Sequence, residues 1–442
     1  MALGGGVWVT QNKKLPGAYI NFVSSKNANA ILSDRGIVAM PIIIGWGKDD
    51  EVFEVTGEDF KENSLKLLGY DIDDDELSKL RDLFLNIKKA YLYKVNTGGA
   101  KAENTFCTAK YKGTRGNQIK TVILADETST TENPVYVVQT YFADVLVDEQ
   151  KTIVAMTDLV ANDYCDWKTS ATLALTAGTT CSGGTDGSAT AASYQAFLSA
   201  IESYSFNVVG CSSTTASIKA LFTAWAKRMR DEIGLKFQVV LHQYEEADYE
   251  GVISVENNLV GETSGTATGN LVYWVAGAEA GCAVNKSLSN TVYNGEFNID
   301  VNYSQTQLET MLGAGKFVFH KVNDKIRVLS DINTFTTTTE QKKADFAKNQ
   351  VIRVLDQIGN DVATIFNTKY LGIIPNDNGG RISLWNDIVK HHQELERIRA
   401  IEDFSADSVT VEKGDTKESV VITDYITPIY AMEKLYMTIV VQ

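Results

Sequence analysis

The sequence predicts a multidomain chain of mixed class, part α+β and part α/β. Three observations carry this reading. At 442 residues the chain exceeds what one hydrophobic core serves. Between residues 186 and 335 helical and strand patterns alternate, as in a parallel sheet covered by helices. Residues 336–430 instead carry two helical patterns followed by a hairpin pattern, an α+β arrangement.

Composition narrows the function classes. A net charge of −15, from 56 acidic against 41 basic residues, argues against direct nucleic-acid binding. The five cysteines (Cys107, Cys165, Cys181, Cys211, Cys282) are widely spaced and form no C-x-x-C pair. They predict neither a disulfide framework nor a zinc site and fit synthesis in a reducing cytoplasm. The first residues lack the basic and apolar regions of an export signal, and no apolar run reaches the ~18 residues of a membrane span.

Taken in order, residues 1–22 open with Gly4, Gly5 and Gly6, turn at Pro16-Gly17, and continue as a short strand pattern, Ala18, Tyr19, Ile20, Asn21 and Phe22. So little apolar mass cannot fold alone. The segment reads as an N-terminal arm that packs on the C-terminal domain or on a neighbour; its alternative is the first strand of the next domain. Residues 23–95 read as a small α+β domain, with an apolar run over 37–44, an alternating strand over 51–55 and a helix over 75–89. Leu77, Leu80, Phe84 and Ile87 form that helix's buried stripe. Asp71, Asp73 and Asp75 have calcium-loop spacing, but Glu76 stands where such a loop needs glycine and Asp82 where it prefers glutamate. Acidic residues at a helix start need no metal to account for them.

Residues 96–185 read as a β-rich module, with strands over 106–111, 119–124 and 135–141 separated by turn residues. The glycines and cations of 112–117 lack the frame of a phosphate loop. The α/β domain, 186–335, follows a glycine-rich loop at 182–187, with helices over 194–204 and 218–229 and strands over 206–211, 237–241 and 252–255. A parallel sheet often binds a nucleotide at its strand ends, yet no G-x-G-x-x-G follows any of these strands. The small residues of 271–285 predict a helix packed closely against another element.

In the C-terminal domain, 336–430, Val351, Leu355, Ile358, Val362 and Ile365 mark one helix, and Leu384, Ile388, Leu395 and Ile398 a second. Val409 and Val411, then Val420 and Ile422, mark a hairpin. An isolated hairpin is marginal, so this sheet needs further strands. Residues 431–442 offer one. Leu435, Met437, Ile439 and Val441 fall on one face and Tyr436, Thr438 and Val440 on the other, a strand apolar on both faces. An uncovered apolar strand either completes its own domain or pairs with another chain.

Candidate chemistry is sparse. Of the four histidines, the pair His391-His392 lies on a predicted helix, where neighbours point about 100° apart and cannot chelate as an i, i+4 pair does. A solvated helix face is the expectation. The sequence predicts no catalytic residues, no cofactor and no metal.

Several stretches together resemble one family. They are Gly4-Gly5-Gly6-x-Trp8, Leu15-Pro16-Gly17-x-Tyr19-Ile20-Asn21-Phe22, Gly183-Gly184-Thr185-Asp186-Gly187, Asp331-Ile332-Asn333-Thr334 and Ala431-Met432-Glu433-Lys434-Leu435-Tyr436-Met437-Thr438. The chain resembles contractile phage tail sheath proteins, in the version of Gram-positive phages, defective prophages and phage-tail-like bacteriocins. The resemblance runs nearly end to end and is weaker across the β-rich module. It implies a structural subunit rather than an enzyme, located in a virion tail or phage-tail-like particle assembled in the bacterial cytoplasm. Its partners would be copies of itself in a helical sheath, a tail tube protein, and baseplate and tail-terminator proteins, with no nucleic acid and no membrane insertion. Contraction would drive the tube through a bacterial envelope.

The resemblance also implies an inner layer built from the C-terminal domain and N-terminal arm, the β-rich and α/β parts facing outward, and terminal arms that add strands to a neighbour's small sheet. On this chain the donated strands would be Ala18, Tyr19, Ile20, Asn21 and Phe22 at one end, and Leu435, Tyr436, Met437, Thr438, Ile439, Val440 and Val441 at the other. Val409, Val411, Val420 and Ile422 would receive them. The mixed charge of Lys390, Glu394, Arg397 and Arg399 suits a tube contact that breaks and re-forms, the alternative being a plain solvated face. A non-contractile filament or tail subunit and a nucleotide-dependent α/β enzyme are the competing readings.

Overall fold

The computed structural model describes residues 32–263 and 265–441. At its centre is a seven-stranded sheet. Its strands are β1 (Ile37–Ile42), β2 (Val52–Thr56), β3 (Lys89–Lys94), β4 (Val208–Cys211), β5 (Gln238–His242), β6 (Val252–Val255) and β7 (Lys316–Phe317), in the order β7-β6-β5-β4-β1-β3-β2. All neighbours run parallel except β2 and β3. Alternate residues serve opposite faces, as the strand period requires. Val38, Met40 and Ile42 enter one core, while Ala39 enters the other with Val209, Val239 and Leu241.

Helices cover both faces. On one lie α1 (Ser78–Phe84) and the helix Leu271–Gly281; on the other lie Ala191–Ile201 and Ala216–Lys227. The close packing expected of 271–285 is present. A Cβ on Gly281 would lie 1.9 Å from the carbonyl oxygen of Asn86, and one on Gly277 2.5 Å from that of Leu83. Only glycine lets the two backbones approach this far.

Two expectations are corrected here. Residues 23–95 are not a separate small domain in the described part, because β1 pairs with β4 and so joins residues 37–94 to the same sheet as 208–255. Parallel strands gain stability by being central and doubly covered, which the long insertion between β3 and β4 does not prevent. The helix expected over 75–89 is also shorter. A 3-10 turn, Asp75–Leu77, leads into α1, and Lys89 already starts β3. Asp74 caps that turn by accepting the amide of Glu76.

The insertion folds as two antiparallel sheets, one of three strands (Lys101–Glu103, Cys107–Lys112, Cys165–Trp167) and one of four (Ile119–Ala125, Tyr136–Phe142, Val145–Ile153, Thr176–Thr180). Val145–Ile153 escaped the sequence reading because it is a mostly exposed, charged edge strand with no apolar alternation. Trp46, on the loop after β1, is fully buried in the sandwich core 4.8 Å from Phe142, and so fastens the sandwich to the central sheet. The same core gathers Cys107, Cys165 and Cys181, with the Cys107 and Cys181 sulfurs 3.7 Å apart as free thiols.

In the C-terminal region, α2 (Asn349–Ile365) and α3 (Asn378–Arg397) pack beside a hairpin of β8 (Val409–Lys413) and β9 (Val420–Asp424). The expected helices and hairpin are thus in place. What positions them is less apolar than the pattern suggested. Helix α2 buries Asn349, Arg353, Asp356 and Asp361 along with Val351, Ile352, Val354 and Ile365. Arg353 donates to Glu279 at 2.5 Å and to Asp331 at 3.3 Å, all three side chains at most 1% exposed. Burial, then the neighbouring Asp331, pushes the Glu279 carboxyl well above the usual range. Burial acts on Asp331 in the same sense, but Arg353 and hydrogen bonds outweigh it and hold that carboxyl low. Arg230 forms a second buried fork with Asp356, at 2.6 and 2.8 Å. These pairs lock α2 onto the central domain.

Candidate assembly interface

The hairpin and what surrounds it form the candidate site. β8 and β9 pair from Val409 with Asp424 to Lys413 with Val420. Val409 is buried, and Val411, Val420 and Ile422 are half-buried against α2 and α3. Trp385 of α3 donates its indole N–H to the carbonyl of Val409 at 2.9 Å, and Asn376 caps the far end through the carbonyl of Ser419 at 2.8 Å. One face of the ribbon is therefore fixed on the helices. Among the described residues neither outer edge of the hairpin bears a further strand.

The chain after the hairpin is held as far as Glu433. The amide of Ala431 donates to Gln350 at 3.0 Å, and Lys348 pairs with Glu433 at 2.6 Å. Beyond that point the apolar side chains lie in the open, with Leu435 86%, Tyr436 89%, Ile439 75% and Val441 90% exposed. Residues 435–441 were expected to form a strand, and among the described residues they form none. The reason is elementary: a strand exists only through hydrogen bonds to a partner, and here none is paired with it. The N-terminal strand residues Ala18, Tyr19, Ile20, Asn21 and Phe22 lie outside the described residues.

On α3, Lys390 and Arg397 are exposed, and Glu394 is bound to Arg397 at 2.7 Å. These three share one side of the helix. Arg399 lies past the helix end with a positive φ of 62° and is also exposed.

His391 and His392 overturn the expectation of a solvated face, for both are fully buried. His391 Nε2 lies 2.9 Å from Asp361 on α2, and His392 Nε2 lies 2.7 Å from Asp424 at the end of β9. Burial would raise the Asp361 carboxyl, but hydrogen bonds from His391, Ser33 and Gln357 outweigh it and hold it below the usual range. A signal for this burial was present. His391 falls on the stripe of Leu384, Ile388 and Leu395, at steps of four and three.

Comparison with known proteins matches these parts one by one. Residues 35–95 match the tail sheath protein Gp18 domain III N-terminal region, and 95–186 the phage tail sheath protein beta-sandwich domain. Residues 187–334 match the phage tail sheath protein central domain, and 341–442 the phage tail sheath C-terminal domain. The phage-like element PBSX protein XkdK of Bacillus subtilis is 31% identical over 99% of both chains. The crystal structure of a sheath tail protein from Desulfitobacterium hafniense is 35% identical and superposes with a TM-score of 0.81, covering 95% of this chain and 99% of that one. The anti-feeding prophage helical sheath in its contracted state shares the fold at 13% identity, with a TM-score of 0.56 over 97% of this chain and 99% of that one. With sheath domains matched over residues 35–334 and 341–442 and relatives aligned end to end, the chain belongs to the phage tail sheath protein family and is a structural subunit of a contractile tail sheath.

Proposed function

We propose that this subunit polymerises into a helical sheath around a tail tube by donating its terminal segments as strands to the hairpin of a neighbour. One observation carries the reading: an apolar run tethered at Glu433 and then exposed, in a subunit whose hairpin keeps two edges without strands among the described residues. Open edges and apolar strands pair with one another when they meet. Residues 435–441 fit one edge, and the arm containing Ala18, Tyr19, Ile20, Asn21 and Phe22 fits a further position. The α2–α3–hairpin domain then lines the inside of the sheath, the β-sandwich faces outward, and contraction drives the tube through a bacterial envelope. The subunit performs no catalysis of its own. Assembly takes place in the bacterial cytoplasm, and the sheath is bounded by baseplate and tail-terminator proteins.

The exposed side of α3, with Lys390, Arg397 and Arg399, is the proposed contact with the tube. Exposed ion pairs are individually worth ~1 kcal/mol or less, which suits a contact that must release. Changing Arg397 and Arg399 together to glutamate should reduce extended sheath on tubes and spare contracted sheath, counted in electron micrographs of assembly mixtures. Equal loss of both forms would remove this assignment.

A further inference from the structure

The four groups Asp361, His391, His392 and Asp424 form one line from α2 through α3 to the hairpin, buried except at Asp424, whose side chain is 21% exposed. Its three contacts measure 2.9 Å, 3.2 Å between the two Nδ1 atoms, and 2.7 Å. An ionised carboxylate only accepts hydrogen bonds, and each ring nitrogen either donates or accepts. Each of the three contacts therefore holds a single proton. Two carboxylates and two neutral imidazoles supply two. With both Nε2 atoms donating to carboxylates, the Nδ1 atoms would face each other with two lone pairs; with both histidines charged they would face each other with two N–H groups.

We propose that this tetrad, with both imidazoles buried, binds one proton beyond the two of its neutral imidazoles, and that the occupied site fastens the hairpin to the helices. The groups facing the histidines are Asp361 from α2, with Gln357 and Ser33 on its oxygens, Asp424 from β9, and the Phe404 ring, 5.2 Å from that of His392. Among the described residues Asp424 Oδ1 has no hydrogen bond, so His392 is the tie that this carboxylate makes.

The sign of the pH dependence follows from proton counts. Histidines in an unfolded chain titrate near pH ~6.5. Above that value the folded tetrad holds one proton more than the unfolded chain, so the folding equilibrium of this domain falls about tenfold per pH unit as pH rises, until the proton leaves. Below it the unfolded chain holds more protons, and the equilibrium falls as pH drops. Where the hairpin receives a strand, as proposed above, the same window limits assembly.

The test uses the full chain labelled with 15N-histidine, read by two-bond imidazole correlation spectra at about pH 7.5, a unit above the unfolded value. H391Q and H392Q assign the pair. The site is supported if three of the pair's four ring nitrogens carry protons and exchange at the hairpin amides, corrected for its intrinsic pH dependence, quickens about tenfold per pH unit above that point. Two protonated nitrogens, one per ring, would overturn it. Where a variant fails to fold, the wild-type count of protonated nitrogens still decides, and it does so without any assembled sheath.

Discussion

Removal of residues 435–442 should leave a folded, soluble subunit that forms no sheath tubes. Its fold survives because the side chains of 435–441 lie exposed rather than in a core, with Leu435, Tyr436 and Val441 all more than four-fifths exposed. Assembly fails because of how the free energy of one contact divides. A seven-residue strand gains ~1 kcal/mol net per hydrogen bond and roughly 1.5–3 kcal/mol for each of three or four side chains it buries. Ordering its backbone costs about 1–2 kcal/mol per residue. The terms nearly cancel, so a single contact is marginal and only a lattice of them is stable. Size-exclusion chromatography and negative-stain microscopy of the truncated chain read the outcome, and full-length tubes would refute the donated strand.

Arg353→Met should produce the largest loss of subunit stability, about 3–5 kcal/mol, because it leaves buried carboxyl groups without their cation. Glu279 and Asp331 are both at most 1% exposed and share this one guanidinium. Removing it also strips a 2.7 Å hydrogen bond from the carbonyl of Lys286. Since Arg353 sits on α2, the damage falls where the C-terminal domain meets the central sheet. Urea unfolding followed by circular dichroism measures it. A change below about 1 kcal/mol would mean that the cluster contributes little and that α2 is held by its apolar side chains alone.

Much of this architecture was legible in the residues. The two C-terminal helices announced themselves by apolar steps of three and four, and the hairpin by alternating valines around a Gly-Asp turn. The α/β alternation after residue 186 was equally plain. What was illegible is long-range or polar. Nothing in the local period of 37–94 reveals that β1 lies beside β4, because strand partners are chosen by packing across a long insertion. Arg353, Asp356 and Asp361 lie off the apolar stripe predicted for α2, yet all three are buried. His391 and His392 misled for the same reason: polarity was taken for exposure, when burial requires only that every polar atom find a partner. The three thiols of the sandwich core were hidden by their wide sequence spacing, which strand pairing removes.

The claim that subunits are joined by exchanged strands is tested most directly by amine cross-linking of sheath assembled from a mixture of unlabelled and 15N-labelled chains. Lys434 lies in the exposed C-terminal segment, and Lys413 and Lys417 are exposed on the hairpin. Exchange requires Lys434 to be linked to Lys413 or Lys417 in peptide pairs that combine a light and a heavy chain, in assembled sheath and not in dispersed subunits. Pairs joining only chains of the same label would contradict it, since the segment would then return to its own hairpin.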